Sequence, residues 1–322
     1  MYPCETRTRC LAEGGIPTPV NFLTEEQAAQ YGRYAGDPSP AQLAQYFYLD
    51  DTDRQHLATL RSDRHRLGWA VQLGTLRFLG TLAEDWAAIP PAVVAYVAGQ
   101  LNITVPADMD HYGGSRTRRE HALRLTVLYG YSSFEAQPAH WRLVRWLYLR
   151  AWLMAERPSV LFDRTTAHLV EQKILLPGVT TLTRLVAQVR DRAQARLWQR
   201  LAALPQPTQR DALEHLLSAD PNSRIAPLDR LRRGPTRPSI RGFQQALDRL
   251  DTLRALGAAD WNLQPIPSAR LAALARHAAT VRAQAIARMP DDRRLATLIA
   301  FTAVFTIRGQ DDLIELLEVS VK

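Results

Sequence analysis

Apolar and polar positions along this chain repeat with a helical period almost throughout, and alternating strand patterns are nearly absent. Thr24 with Gln27 in LTEEQAAQYG forms a capping box, a hydroxyl cap followed three residues later by a side chain that reaches back. Ser39, Pro40 and Gln42 form a second, with proline at the first helical position. Asp51 is the expected cap of DRQHLATL, and Asp63 that of the next helix. Pro90 and Pro91 open PAVVAYVAGQL. Helices follow in RTRREHALRLTVL, AHWRLVRWLYLRAWLMA and PSVLFDRTTAHLVEQK, and LLPGVTTL breaks the series. Beyond the break, TLTRLVAQVRDRAQARLWQRLAAL reads as one long amphipathic helix with a basic outer face. TQRDALEHLL, the stretch from Ser239 to Leu256, SARLAALARHA and DRRLATLIAFTAVF complete the series. No fixed-period repeat is present, and the pattern predicts an all-α chain.

The helix from Asp63 is the most informative. At about 100° per residue, Arg64, His65, Gly68, Gln72 and Thr75 fall on one narrow stripe. Arg66 and Arg77 share a second line, and apolar residues cover nearly everything else. A helix sunk in its domain with a thin polar stripe showing fits the recognition helix of a helix-turn-helix. It fits a central bundle helix equally well, and that arrangement is the more common.

Composition shifts suggest four parts. Residues 1–20 lack the apolar centre of a secretory signal and are expected to be a disordered leader. Residues 21–104 form a first small helical domain. The polar, glycine-bearing loop ADMDHYGGS opens a second over 105–176, and 177–322 read as a helical linker and the start of a further helical domain. The 322 residues, 46% of them apolar, supply enough side chains for several cores. Cys4 and Cys10, the only cysteines, have no metal-ligating companions, and a reducing cytoplasm suits them. No apolar run of about 18 residues is present to span a membrane.

The formal net charge is +8, and all but two of the 40 basic residues are arginine, the exceptions being Lys173 and Lys322. A genome rich in G and C accounts for most of that ratio but not for the clustering. Cations in the first turn of a helix cost about 0.3–1 kcal/mol each against the positive end of its dipole. Even so, Arg64, His65 and Arg66 follow Asp63, and Arg116, Arg118 and Arg119 follow Ser115. A bound phosphate reverses that sign, because guanidinium and helix N–H groups then meet one anion together. A neighbouring acid would do the same. A third cluster places Arg142, Arg145, Trp146 and Arg150 on one helix face, either as a phosphate- and base-binding surface or as a solvated face with the indole tucked under a neighbour. The stretch RIAPLDRLRRGPTRPSIRG, residues 224–242, reads as a basic connector.

No glycine-rich phosphate loop, GxSxG or HExxH is present. His121 and Arg124 give the H-x-x-R pair used by tyrosine recombinases, without a second placed arginine or a tyrosine nucleophile. Asp50, Asp51, Asp53, Asp291 and Asp292 sit at helix starts and read as caps. The sequence offers no catalytic centre and calls for no cofactor.

Taken together, several motifs carry a resemblance. FLTEEQAAQYGRYAGDPSPAQLAQYFYLDDTDR resembles the N-terminal region of the large replicative transposases of class II bacterial transposons, the Tn-three family. So do HRLGWAVQLGTLRFLGTL, RTRREHALRL followed by GYSSF, WLYLRAWLMAERPSVLFD, KILLPGVTTLTRLVAQVR, PLDRLR and RMPDDRRLATLIAF. The similarity runs in order from about Val20 to the C-terminus. It implies tandem helical, helix-turn-helix-like domains that grip the terminal inverted repeats as double-stranded DNA. It also implies a chain that ends before the metal-dependent DDE domain, so that magnesium is expected only for that absent domain and strand transfer is not expected here. At the helix mouth the family usually reads His-Asn-Arg. Here Arg66 matches, as does Arg77, while Arg64 and His65 depart and are candidates for a different end preference.

The expected DNA-binding residues are therefore Arg64, His65, Arg66, Gln72, Arg77, Arg116, Arg118, Arg119, Arg124, Arg142, Arg145 and Arg150. Phosphates meet the two helix mouths and base edges meet the Arg64, His65 and Gln72 stripe. Two reading units suit a bipartite site, and association with a full-length transposase is expected. A helical protein-interaction scaffold and a non-functional truncated remnant are the alternatives, the latter favoured by apolar surface over residues 295–318.

Overall fold

A computed structural model describes residues 21–83, 85–107, 109, 112, 116–218, 225–234 and 239–321. The leader expected at 1–20, with Cys4 and Cys10, and the cap expected at Ser115 lie outside them. The protein is all-α: among the described residues there is no strand, only an isolated parallel bridge between Ser132 and Ile174. The chain divides into two compact units. One comprises Pro19–Leu147 with Arg157–Ala187, the other Tyr148–Glu156 with Gln188–Lys322.

In the first unit, α1 (Glu25–Gln30) and α2 (Pro40–Tyr46) open on the two expected capping boxes. Helix α3 (Asp51–Ala58) is capped by Asp50 rather than Asp51, with Asp53 reaching back to the Asp50 N–H. Helix α4 (Asp63–Leu79) takes Ser62 as its cap, the hydroxyl accepting from the His65 N–H, which leaves Asp63 as the first helical residue. An acid there favours the positive end of the dipole.

Every residue of α4 from Leu67 to Leu76 is buried. Each fully buried Leu or Val contributes about 1.5–3 kcal/mol relative to exposure, so α4 is the axle of this unit. Two glycines let neighbours close on it. A Cβ on Gly68 would stand 2.4 Å from the Tyr112 ring, and one on Gly74 would stand 2.2 Å from Phe47. Glycine weakens a helix by about 1 kcal/mol relative to alanine, and here that loss admits two aromatic rings against the backbone.

Helix α5 (Pro91–Leu101) and α6 (Arg116–Leu128) complete the packing around α4. The boundary expected at 104/105 does not separate two cores: Met109, Tyr112 and Leu125 are buried in one cluster with Leu67, Trp69 and Val93. A short amphipathic helix such as α6 has too few apolar residues for a core of its own and borrows α4's. The unit also takes in the start of α7 (Ala139–Leu153), α8 (Pro158–Glu171) and the start of α9 (Val179–Ala202).

The second unit contains the rest of α9, α10 (Pro207–His215), α11 (Pro227–Leu231), α12 (Ile240–Ala255), a 3-10 turn (Ala258–Asp260), α13 (Ser268–Thr280), α14 (Ala283–Ala287) and α15 (Asp291–Val321). Helix α15 is its axle, with Leu295, Leu298, Ile299 and Phe301 buried against Trp198, Leu201, Leu213 and Leu253. The expected basic connector is partly built into this core: Pro227–Leu231 is helical, with Leu228 and Leu231 buried. Many arginines here are consumed internally. Arg294 holds Glu214 at 2.9 Å and Asp291 at 2.7 Å, Arg249 holds Asp312 at 2.7 Å, and Arg293 lies over the Trp198 ring.

Candidate nucleic-acid interface

The mouth of α4 and the middle of α6 meet. The His65 and His121 ring centroids are 5.8 Å apart, and His121 also packs edge-on against Trp69 at 5.1 Å. The Tyr112 hydroxyl and His121 Nδ1 share a hydrogen bond of 2.9 Å. Arg124 lies over the Trp69 ring at 5.6 Å from its centroid. His121 is buried, and burial holds its pKa down to about 4, helped by the neighbouring His65 and Arg124 and opposed by Glu120. It is therefore a neutral histidine packed into the core at neutral pH. The helix mouth at Arg64–Arg66 and the helix carrying Arg116, Arg118 and Arg119, expected in separate domains, thus belong to one unit.

Around this junction Arg64, His65 and Arg66 are half-buried, and Arg119 and Arg124 are exposed. Arg66 lies 3.7 Å from Asp63 with its side chain 39% exposed, a weak surface pair. Arg116 is almost fully exposed and pairs with Glu120 at 2.8 Å. Arg142 and Arg145 are exposed on α7, whose Leu143 and Leu147 are buried. Trp146 is not an open stacking platform, because it stacks on His168 with centroids 4.1 Å apart and planes 1° from parallel.

Four expected residues are turned inward. Gln72 is 1% exposed, and its amide donates to the Ala83 carbonyl at 2.9 Å and accepts from the Ala83 N–H at 3.0 Å. It is a loop pin, and the polar stripe does not continue along α4 as a reading surface. Thr75, on the same stripe, bonds Val71 O and the Tyr34 hydroxyl. Arg118 donates to the same Ala83 carbonyl at 2.9 Å. Arg77 grips Asp53 through both terminal nitrogens, donates to Tyr48 O and covers the Tyr129 ring. Arg150, in the second unit, makes a two-point contact with Glu156 at 2.7 and 2.9 Å. Polar side chains buried on a helix wrapped on all sides are for the most part hydrogen-bonded within the fold, as Gln72 and Thr75 are.

Sequence reasoning missed two features. Asp53 reads as a cap, yet it is fully buried and also accepts from Arg77 and from the Tyr129 hydroxyl at 2.6 Å. On α6 the line furthest from the core runs through Arg116, Glu120, Leu123 and Val127, with Leu123 70% and Val127 83% exposed. Angular bookkeeping on α6 would have found that line, since Leu123 and Val127 project opposite Leu125 and His121.

Among the described residues no group of three His, Cys, Asp or Glu side chains gathers to hold a metal ion, and no helix is long and apolar enough to cross a membrane.

The family model for a domain of unknown function, DUF4158, matches residues 22–189. The transposase for transposon gamma-delta of Escherichia coli (strain K12) is 42% identical over 304 residues, covering 94% of this chain and 30% of the relative. The transposase for transposon Tn21 of Escherichia coli is 28% identical over 275 residues, and that for transposon Tn501 of Pseudomonas aeruginosa 29% over 280; each match covers 85% of this chain and 28% of the relative. The chain therefore spans less than a third of the length of these curated relatives.

Proposed function

Since this chain belongs to the DUF4158 family and is homologous to the N-terminal part of Tn-three-family transposases, we propose that its first unit binds double-stranded DNA at the terminal inverted repeats of a transposon. The observation that carries this reading is the meeting of α4 and α6 at His65 and His121. It joins the helix mouth that carries Arg64 and Arg66 to the helix that carries Arg119 and Arg124. Their guanidinium groups suit phosphate oxygens on either side of a groove, and the half-buried His65 between them suits a base edge or a sugar. Arg142 and Arg145 extend the positive field along α7. Gln72 and Arg118 serve this surface indirectly, by holding Ala83 in place. The strand-transfer chemistry of the relatives is assigned to the portion of them that this chain does not span.

The test is binding to a labelled duplex carrying the element's own inverted repeat against a scrambled duplex, across a salt series. Repeat-selective binding that weakens about a thousandfold from 50 to 200 mM salt corresponds to roughly six phosphate contacts. Equal affinity for both duplexes overturns the repeat-specific reading and leaves a generic basic surface. No binding at low salt returns the arginines to a scaffold role.

A further inference from the structure

We infer that the outermost line of α6 reads thymine, with Leu123 and Val127 packing against C5-methyl groups in the major groove. The inference rests on the proposal that this unit binds DNA and names the residues that confer part of its sequence preference. Helix α6 buries one side, His121 and Leu125, into the α4 core, and Arg118 turns in toward the 81–90 loop. On an amphipathic helix the opposite line is polar. Here that line carries Leu123, 70% exposed, and Val127, 83% exposed, which nothing in their own unit covers to any large extent. They are not part of a broad apolar patch of the kind that docks another protein, because Arg119 and Arg124 flank them and the Arg116–Glu120 pair precedes them on the same line.

An apolar pair framed by guanidinium groups matches the chemistry of a major groove at A·T pairs. Thymine places a methyl group there between flanking phosphates, and apolar side chains recognise it. Leu123 and Val127 lie four apart, one turn of helix, so they meet successive or near-successive base steps while the arginines hold the backbone on either side. The charge on this face selects the occupant, since a protein partner with a complementary apolar groove would have to neutralise Arg119 and Arg124 at its rim.

The experiment compares the wild-type chain with Leu123→Ala and Val127→Ala on the inverted-repeat duplex, made once with thymine and once with uracil replacing thymine one site at a time. Both positions are exposed, and circular dichroism melts verify that the variants fold. The expected result is a loss of about fourfold for each methyl group removed from contact, seen with the wild type at one or two particular thymines. Leu123→Ala or Val127→Ala should show the matching loss on the thymine duplex and little further loss on the uracil duplex. Repeat-selective binding by the wild type with no sensitivity to uracil, or variants that bind as the wild type does, overturns the inference and leaves the DNA-binding proposal standing. Equal losses by a variant on both duplexes also overturn it, since the side chain then contacts something other than the methyl group. Absence of repeat-selective binding by the wild type overturns both.

Discussion

Arg77 and Asp53 form a two-point ion pair with both N–O distances at 2.9 Å, and Asp53 is completely buried. The carboxylate also accepts from the Tyr129 hydroxyl and the Asp50 N–H, so its acceptor sites are filled from α3, α4 and the end of α6. Burial and the adjacent Asp53 together raise the Tyr129 pKa, keeping its proton available to donate. An arginine shared with the resembling family thus serves the fold of the unit rather than its surface.

Removing one partner of such a pair leaves a buried charge uncompensated, which typically costs about 3–5 kcal/mol. Arg77→Ala is expected to lower the urea unfolding midpoint of the first unit by a corresponding amount. Arg77→Lys should recover little of it, because an ammonium group cannot make the two-point contact. An Arg77→Ala protein of unchanged stability but lost DNA affinity would return this residue to the interface.

Gln72 and Arg118 both secure Ala83, so they are expected to be coupled in stability. Gln72→Ala leaves the Ala83 N–H without this partner and should cost about 1–3 kcal/mol. The double variant should lose less or more than the sum of the two single variants, a departure that distant sites do not show. Base preference should stay as in the wild type under conditions where the variants are folded. A changed preference with unchanged unfolding would contradict the assignment of Gln72 to the loop.

His121 gives the first unit an acid sensitivity whose sign is determined. Its folded pKa, about 4, lies below the unfolded value near 6.5, so the unfolded chain takes up the proton first. Its contribution to stability is present above about pH 6.5 and drains away as the pH falls toward 4. The groups around it are His65, Arg124, Glu120 and the Tyr112 hydroxyl. Urea unfolding between pH 7 and 4.5 should show a shallower decline for His121→Gln than for the wild type. His168, whose pKa is also lowered by burial, leaves part of the slope in place. Identical slopes would remove His121 as the source.

Arg119 and Arg124 are exposed guanidinium groups on the proposed surface. Changing either to alanine should weaken binding to all duplexes to a similar extent and reduce the logarithmic salt slope by about one. A loss confined to one sequence would instead mark that arginine as a base reader. Arg150→Ala, which breaks the pair with Glu156 in the other unit, should leave both affinity and slope unchanged.

If the proposed end binding holds, these 322 residues supplied by themselves should act as a competitor. Supplied in excess beside a full-length transposase that uses the same ends, they are expected to lower transposition frequency. An unchanged frequency, with the chain shown to be expressed and folded, would argue against occupancy of the ends in the cell.

Secondary structure was legible wherever the signal is local. The Thr24 and Ser39 boxes, the proline starts at Pro40 and Pro91, and the helix after Ser239 depend on contacts three or four residues apart, and they stand as the pattern predicts. The caps at α3 and α4 were displaced by one residue, to Asp50 and Ser62. Neighbouring polar side chains compete for the same N–H groups, and the backbone torsions decide between them.

What the sequence determined by itself was the helical class, the membership of a transposase-related family and the presence of arginine where helix dipoles disfavour it, because period, capping and composition are properties of neighbours in the chain. Which of those arginines reach the surface was decided only by tertiary structure. Arg77 and Arg118 turn inward because Asp53 and Ala83, distant along the chain, lie within hydrogen-bonding reach once α4 is enclosed. Burial removes water as a partner, and a side chain without water must find its partners within the fold.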